Sequence, residues 1–243
     1  MIDHRSSRGG AVTGLLLAAL FSAPPLRAQT PSGYSESISS TITSRTATTE
    51  LVRTLTRETE YRMSRRADTT VVEAAAVRLV EEGPGGRVVF DTDGFTGGRW
   101  KLVPAPRGGL VVVDVPFVPP ALVEVNDLAA AMDDFFPPVA PPLPVNRRVR
   151  DGAGRDWQRL ADSADVRRYR WTATRTRDTT AVARDTVTLR ISEATREVSQ
   201  LRLDARGAPL GWTRELVTDV TSRGGGRAVQ ATVRQRIVVR ALP

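Results

Sequence analysis

The stretch Arg168-Tyr169-Arg170-Trp171-Thr172-Ala173-Thr174-Arg175 decides the fold class, because large apolar side chains alternate in it with Arg and Thr. Successive side chains of an extended strand point to opposite faces, so Tyr169, Trp171 and Ala173 share one face. This pattern is typical of a strand with one buried side. A sheet of such strands needs a cover on its apolar face.

The same two-residue period recurs along most of the chain, in segments rich in β-branched and aromatic residues. Gly83-Pro84-Gly85-Gly86 predicts a tight hairpin turn between two of them. One segment is less clear, since Glu73-Ala74-Ala75-Ala76 has helical propensity. The fold class is therefore mainly β, a curved antiparallel sheet or incomplete barrel. Further strands are predicted over 34–46, 51–63, 70–80, 87–91, 110–115, 186–192 and 229–242.

One segment departs from this period and has the spacing of a helix. It opens at Pro119-Pro120 and ends at Pro137-Pro138, which favour a helix start and stop. We expect one amphipathic helix here, on the concave face of the sheet, as a plug rather than a movable lid. Its apolar stripe consists of Leu122, Val125, Leu128, Met132 and Phe135 or Phe136.

A proline-rich connector at residues 137–146 divides the predicted single domain, 29–243, into an acidic half, 29–136, and a basic half, 147–243. The basic half carries 21 Arg and 11 acidic residues. Clustered cations attract nucleic acid, anionic lipid or polysaccharide, but charge runs more often form a solvated surface. We expect a solvated, Arg-rich sheet face and no nucleic-acid partner.

The first 28 residues have the pattern of a secretory signal peptide. Arg5 and Arg8 precede an apolar run at residues 11–23, and Leu26-Arg27-Ala28 offers a small residue at the cleavage site. The run is shorter than the about 20 residues that a membrane-spanning helix needs, so cleavage is favoured over a retained anchor. We therefore expect a periplasmic or extracellular protein, without a lipid anchor because the chain has no Cys.

The composition removes many catalytic chemistries. The chain has no Cys, and its one His, His4, lies within the predicted signal peptide. Cysteine nucleophiles, disulfides, Cys/His zinc sites and Ser-His-Asp catalysis each need a residue that the processed chain lacks. We expect no metal site, no cofactor and no catalytic residue.

The remaining motifs favour turns over ligand sites. Asp91-Thr92-Asp93-Gly94 begins like a calcium loop, but Phe95 and Leu102 stand where oxygen ligands belong. The acidic pairs Glu81-Glu82 and Asp133-Asp134 leave an alternative open: a carboxylate-dependent, metal-independent hydrolase such as a carbohydrate-active enzyme. Core packing is expected for Trp100, Trp157, Trp171 and Trp212 rather than stacking on sugars.

A faint internal repeat suggests that the two halves arose by duplication. Asp68-Thr69-Thr70 aligns with Asp178-Thr179-Thr180, and Asp91-Thr92-Asp93-Gly94 aligns with Asp204-Ala205-Arg206-Gly207. Each motif predicts a turn, in which Asp accepts a backbone hydrogen bond and Gly adopts a positive φ. Chance alignment of common turn residues is the alternative.

A resemblance follows from two further motifs, Gly154-Arg155-Asp156-Trp157 after the Phe-Pro helix end, and Leu203-Asp204-Ala205-Arg206-Gly207 between later strands. With the export signal and long strands, they make the chain similar to uncharacterised bacterial domains of the LolA-like superfamily, the periplasmic lipoprotein carriers. The resemblance covers nearly all of the chain after the signal. It implies an incomplete barrel whose concave apolar face is covered by helices and holds acyl chains, although this chain offers one covering helix rather than several.

These observations favour an exported, non-catalytic binding or envelope-structural protein. Its expected partner is a hydrophobic (acyl) ligand or an envelope component, and its oligomeric state does not follow from the sequence. We expect an apolar ligand-binding cavity lined by Trp171, Leu189 and Val233 of the strands and by Leu128, Met132 and Phe135 of the covering helix.

The signal peptide gives a first prediction. Protein recovered from its source should begin at or near Gln29, because the basic, apolar and small-residue regions together direct cleavage after Ala28. N-terminal sequencing or intact mass measurement checks this. Recovery of the intact Met1 form from the cytosol would contradict the export assignment.

Overall fold

A computed structural model of the protein describes residues 32–105, 109–123, 128–132, 135–183, 187–224 and 227–242; the predicted signal peptide lies outside these ranges. The described chain forms one open antiparallel sheet of twelve strands with almost no helix. This confirms the mainly β fold class. Within the described ranges, none of the helical segments has the length and apolarity needed to traverse a bilayer.

The strands follow the predicted alternation, and several are longer than the predicted segments. The hairpin turn at Gly83–Gly86 is confirmed, since these two residues face each other across β3 and β4. The strands are β1 (Gly33–Arg45), β2 (Glu50–Arg66), β3 (Thr69–Gly83), β4 (Gly86–Phe90), β5 (Arg99–Pro104), β6 (Leu110–Asp114), β7 (Arg148–Arg150), β8 (Asp156–Arg159), β9 (Arg167–Ala183), β10 (Val187–Leu203), β11 (Pro209–Gly224) and β12 (Arg227–Ala241).

The strand order is β6-β5-β3-β2-β1-β12-β11-β10-β9-β8-β7, and β4 pairs with β3 beside this path. The centre of the sheet is the seam between β1 and β12, which pair from Tyr34–Ala241 to Arg45–Gln230. Two antiparallel meanders, one from each half of the chain, are joined at this seam. The strands that flank the connector, β6 and β7, therefore lie at opposite ends of the sheet.

The whole segment between β6 and β7, residues 115–147, is termed the connector from here on. Its described residues cross one face of the sheet, which is termed the covered face. On the β5 side, the indole Nε1 of Trp100 donates a hydrogen bond to the carbonyl oxygen of Ala129 (2.9 Å). On the β8 side, Nη1 of Arg159 donates to the carbonyl oxygen of Leu143 (2.9 Å). The connector is thus bound at both ends of its path across the sheet.

The middle of the connector inserts Phe135 among aromatic side chains from three strands. Its ring centre lies 5.8 Å from that of Tyr34, 5.0 Å from Tyr61 and 5.3 Å from Trp212. Edge-to-face arrangements at such distances add about 0.5–1.5 kcal/mol each beyond area burial. All four tryptophans are buried, as predicted, in a core that also contains Tyr169, Leu122, Leu128 and Met132.

The described residues of the connector do not form the one amphipathic α-helix that was predicted. They contain a helical turn, α1 (Pro120–Val123), and a 3-10 turn at Ala129–Met132, and residues 124–127 and 133–134 of the predicted helix lie outside the described ranges. The amide of Ala131 bonds to the carbonyl of Leu128, three residues back, which is the tighter 3-10 spacing. Val125 lies outside the described residues, whereas the other predicted stripe positions, Leu122, Leu128, Met132 and Phe135, are buried as expected.

The predicted turns have mixed outcomes. Oδ1 of Asp204 accepts hydrogen bonds from two following amides and Gly207 has a φ of 89°, which confirms that turn. Asp178-Thr179-Thr180 is not a turn, because these residues pair with β10 inside the long strand β9. In the first half, Oδ1 of Asp91 accepts a hydrogen bond from the Asp93 amide as predicted, but the positive φ lies at Gly97 and not at Gly94. The turn correspondence that suggested an internal repeat therefore holds for the aspartates of the Asp-x-x-Gly motifs and fails for the glycine and for Asp178.

The connector gives a stability prediction. Leu128→Ala should lower the free energy of unfolding by about 2–5 kcal/mol, because Leu128 is fully buried in the core and its truncation leaves a cavity. Val139→Ala is the matched control in the same connector, since Val139 is 79% exposed. Urea denaturation of both variants measures the difference. Equal, small effects would show that the connector is a loosely held lid.

Candidate functional site

The connector covers only one end of the covered face. Ser40 and Gln235 lie side by side in one row across the strands. On the side of this row that faces away from the connector, none of the described side chains of the covered face is buried. Aliphatic side chains follow the middle strands from this row towards the far end. Thr and Ser lie among them, and two charged residues lie beside them on the same face, Arg53 next to Ile42 and Glu193 next to Val220. We term the aliphatic side chains the aliphatic track: Ile42, Leu55, Ile191, Leu189, Leu216, Val220, Val229, Ala231 and Val233.

The register of the strands places side chains of the track next to one another. Ile42 of β1 faces Val233 of β12, and Val220 of β11 faces Ala231 of β12. From Gln235 to Val229 the strand advances six residues, about 20 Å at roughly 3.4 Å per residue. This length exceeds the about 15 Å of one leaflet of a membrane's hydrocarbon core. The track is thus long enough for an extended acyl chain.

At the inner end of the track, a buried ion pair lies on the covered face. Nη2 of Arg57 donates to Oε2 of Glu36 (2.8 Å), and both side chains are 4% exposed. The Tyr61 hydroxyl donates to the same oxygen (3.0 Å). Burial, and then the charge of Glu36, raises the pKa of Tyr61, so the hydroxyl stays protonated and remains a donor.

A second buried ion pair lies on the other side of the seam. Oε1 of Glu197 accepts hydrogen bonds from Nε of Arg214 (3.1 Å), the hydroxyl of Ser199 (2.8 Å) and the indole of Trp171 (3.1 Å). Arg175 approaches the other carboxylate oxygen at 3.9 Å. Burial alone would raise the pKa of Glu197, but the charge of Arg214 and these donors outweigh it and lower the pKa. Glu197 is therefore ionised at neutral pH.

The two arginines lie in one row across the sheet and frame a cavity. Arg57 pairs with Ile38, Ile38 with Ile237, and Ile237 with Arg214, so three strand spacings, about 14 Å, separate their backbones. Between them is a cavity of about 170 Å³. Its lining includes Arg57, Arg214, Glu36 and Gln235 from the sheet and Ala130, Ala131 and Phe135 from the connector.

Sequence reasoning missed these charged residues, although a signal existed. Glu36 lies between Tyr34 and Ile38 in the apolar phase of β1, and Arg214 lies two residues from Trp212 in the apolar phase of β11. A charge in the buried phase of a strand costs free energy unless it is paired and hydrogen-bonded. A charged residue at a position that the alternation assigns to the apolar face therefore points to a buried pair or a binding site.

The six predicted binding residues fall into two groups. Trp171, Leu128, Met132 and Phe135 belong to the closed core beneath the connector. Leu189 and Val233 are half-buried and lie on the open track, with Leu189 packed near Gly224 at its far end. The structure therefore does not bring all six to one cavity. Closed core and open track are neighbouring regions of the same face.

The candidate acid pairs do not form a convergent site in the described residues. Nε of Arg53 donates to Glu81 (2.7 Å), and this hydrogen bond outweighs the slight burial of the carboxylate and lowers its pKa. Glu82 lies 3.5 Å from Arg87 on the opposite face. Asp133 and Asp134 lie outside the described residues. In the ranges that the structure covers, no three acidic or histidine side chains gather as metal ligands would.

The opposite face is charged rather than apolar. A groove of about 610 Å³ at its centre has a floor of small residues such as Ser35 and Ser37. Its walls carry both charges: Glu58 lies 3.3 Å from Arg78, and Arg236 lines the other wall. Of the two sheet faces, the covered face is therefore the one that presents an aliphatic surface to a ligand.

The second ion pair gives a prediction with a pH dependence. Glu197→Gln should lower the free energy of unfolding by about 3 kcal/mol at pH 7, because the Arg214 guanidinium, 11% exposed, loses its carboxylate. The folded-state pKa of Glu197 is lowered, so its contribution is complete above the ordinary value of about 4.3 and is lost as the pH falls. The wild-type advantage should therefore shrink in acid.

Urea denaturation at pH 7 and at lower pH measures this advantage. The matched control is Glu215→Gln, whose pair with Arg236 is 3.9 Å long and mostly exposed, and which should change stability by no more than about 0.5 kcal/mol. If both substitutions cost the same, the buried network around Glu197 does not stabilise the fold.

Comparisons with known proteins assign no family to this chain. No family model and no curated protein matches it. The structure is similar to one that describes lipid–protein interactions in lipovitellin, with a TM-score of 0.47 and 12% identity over 88% of this chain and 26% of that chain. This chain thus spans about a quarter of that one. So distant a similarity carries no argument about function, and the resemblance to LolA-like carriers rests on sequence motifs alone.

Proposed function

We propose that this protein is an exported, non-catalytic binding protein whose open aliphatic track accommodates the acyl chain of a hydrophobic ligand. The observation that carries the proposal is the division of one sheet face into a half covered by the connector and a half left open. The sheet continues the apolar phase of its strands beyond the cover, with Val229 40% and Leu51 48% exposed. Large exposed apolar patches generally mark interaction sites.

The hydrophobic effect supplies enough free energy for such binding. Each fully buried methylene contributes about 0.8 kcal/mol, and a chain lying on an open surface buries roughly half of its area. Fifteen methylenes would then contribute about 6 kcal/mol before the cost of ordering the chain. A dissociation constant no tighter than about 40 µM corresponds to that figure. The proposed ligand is therefore bound reversibly, as a carrier or sensor requires.

The connector serves as a permanent plug in this proposal, and the ligand lies beside it. Leu128, Met132 and Phe135 are each buried, and displacing large core side chains costs about 1.5–3 kcal/mol apiece. Removal of the plug would cost as much as the acyl chain gains. Of the six residues predicted for the site, Val233 and Leu189 are the two that the proposal retains as ligand contacts.

A pair of matched substitutions tests the proposal. Val233→Asp places a carboxylate on the track and should weaken binding of a fluorescent acyl probe by at least about tenfold, because the chain would desolvate the charge. Val217→Asp is the control: Val217 is also half-buried, but lies on the opposite face beside Arg234. Probe titrations with thermal melts of both variants measure the effect. Equal probe binding by both would exclude the track as the site.

A further inference from the structure

We infer that this protein docks on membrane surfaces that contain anionic phospholipid, through an arginine-rich part of the opposite sheet face. This docking is independent of the proposed acyl binding, because the aliphatic track lies on the covered face. A docked molecule would keep its track turned away from the bilayer and accessible. Docking would thus use a face that the proposed function leaves unused.

The docking surface is a part of the sheet whose limits follow from the register of four neighbouring strands. We term it the basic section: Arg234–Arg240 of β12, Gly211–Val217 of β11, Arg196–Arg202 of β10 and Arg168–Thr174 of β9. It is three strand spacings wide, about 14 Å, and six residues long, about 20 Å. In each stretch the first residue and every second one after it face away from the connector.

The charges of the basic section are almost all of one sign. Four residues on each of its four strands face away from the connector, and all of these are described. They comprise seven exposed arginines and one acid, Glu215. Arg236 lies 3.9 Å from Glu215, and Arg196 lies 3.9 Å from Asp219. Among the described residues, none forms an ion pair with the other five: Arg168, Arg170, Arg202, Arg234 and Arg240.

One row of the basic section brings like charges together. Arg168 pairs with Arg202, Arg202 pairs with Gly211, and Gly211 pairs with Arg240. Like charges directly opposite each other on adjacent strands destabilise a sheet. Gly211 places no side chain between Arg202 and Arg240, and a Cβ there would lie 2.7 Å from the carbonyl oxygen of Val239. Phosphate groups above this row would relieve the repulsion, because guanidinium groups bind phosphate through paired hydrogen bonds.

The distribution of these arginines favours a lipid surface over a single anionic polymer. The five without an ion pair extend over the whole width and length of the basic section. A polysaccharide chain follows one line and would contact few of them at once. The head groups of a bilayer form a two-dimensional array, in which each arginine near the surface adds to the attraction.

A second copy of this chain offers a poorer counter-charge. The opposite face of β2 and β3 carries Glu58, Glu60 and Glu82. Two of these acids already have partners, since Glu58 lies 3.3 Å from Arg78 and Glu82 lies 3.5 Å from Arg87. Self-association through this acidic part would leave most of the arginines unneutralised, so an external anionic surface fits the charges better.

Vesicle flotation tests the docking. The probes are vesicles of phosphatidylcholine alone and vesicles with an equal share of phosphatidylglycerol. At 0.1 M salt the protein should bind the anionic vesicles at least about tenfold more tightly, and at 1 M salt this preference should disappear, because the Debye length falls from about 10 Å to about 3 Å. Equal affinity for both kinds of vesicle at 0.1 M salt would overturn the inference.

Substitution of one row locates the contact. The triple variant Arg168→Gln, Arg202→Gln and Arg240→Gln should bind the anionic vesicles on the order of 100-fold more weakly, since each arginine contributes about fivefold. All three side chains are exposed, so the fold should be retained, which thermal melts verify. The triple variant Arg168→Lys, Arg202→Lys and Arg240→Lys keeps the charge and should bind within about threefold of wild type.

The matched control removes the same charge from the other half of the same face. It is the triple variant Arg45→Gln, Arg78→Gln and Arg87→Gln, on β1, β3 and β4. The nearest of these to the row, Arg78, lies three strand spacings from Arg240, about 14 Å and beyond the Debye length. Vesicle binding should therefore change by less than about threefold. Equal losses in the control and the row variant would overturn the basic section as the docking surface.

Other occupants give distinct results. Binding to soluble dextran sulfate without binding to anionic vesicles would overturn membrane docking, and so would a dimer that the Gln row variant dissociates without vesicle binding. Val233→Asp should leave vesicle binding unchanged, and a loss there would place the contact on the aliphatic track instead. Failure of vesicle binding leaves the acyl-binding function standing, and failure of acyl binding leaves the docking standing.

Discussion

The position of β6 and β7 at opposite ends of one sheet is the constraint on which the rest of the structure depends. The chain between them must travel across the whole width of a face, and the shortest route is over the apolar side chains that the strands present. A connector on such a path gains most free energy by contributing apolar residues of its own, as Phe135 does between Tyr34, Tyr61 and Trp212. One crossing segment has a limited width, so part of a face formed by 13- to 17-residue strands is left open.

The buried ion pairs lie where the covered and open parts of that face meet. There the dielectric environment changes over a few ångströms, and a charged pair is tolerated because every carboxylate shown accepts several hydrogen bonds. The pairs contribute little net stability compared with an apolar replacement. The same residues also fix which strands are neighbours, since Glu36–Arg57 joins β1 to β2 and Glu197–Arg214 joins β10 to β11.

The sequence allowed most of the sheet to be predicted and little of the site. Alternation is a local property, so the buried phase of Tyr169 and Trp171 was readable from eight residues. The conformation of the connector could not be read from nearby residues, because the indole that bonds to Ala129 belongs to Trp100, 29 residues earlier in the chain. The buried ion pairs could not be predicted for a similar reason. Arg214 and Glu197 are 17 residues apart and meet only through the register of β10 and β11. Asp178 was misassigned because a turn-forming residue inside a long paired strand is overridden by its neighbours.

The seam between β1 and β12 also sets the order in which the protein can assemble. Ser40 and Gln235, hydrogen-bonded across it, are 195 residues apart, so the first strand of the described sheet has one unpaired edge until the last strand has been synthesised. Each meander can form from local hairpins, but their union waits for β12. Loss of β12 would therefore open the middle of the sheet and not its margin. Such a truncated chain would expose two long, unprotected strand edges, the arrangement most prone to pairing with other chains.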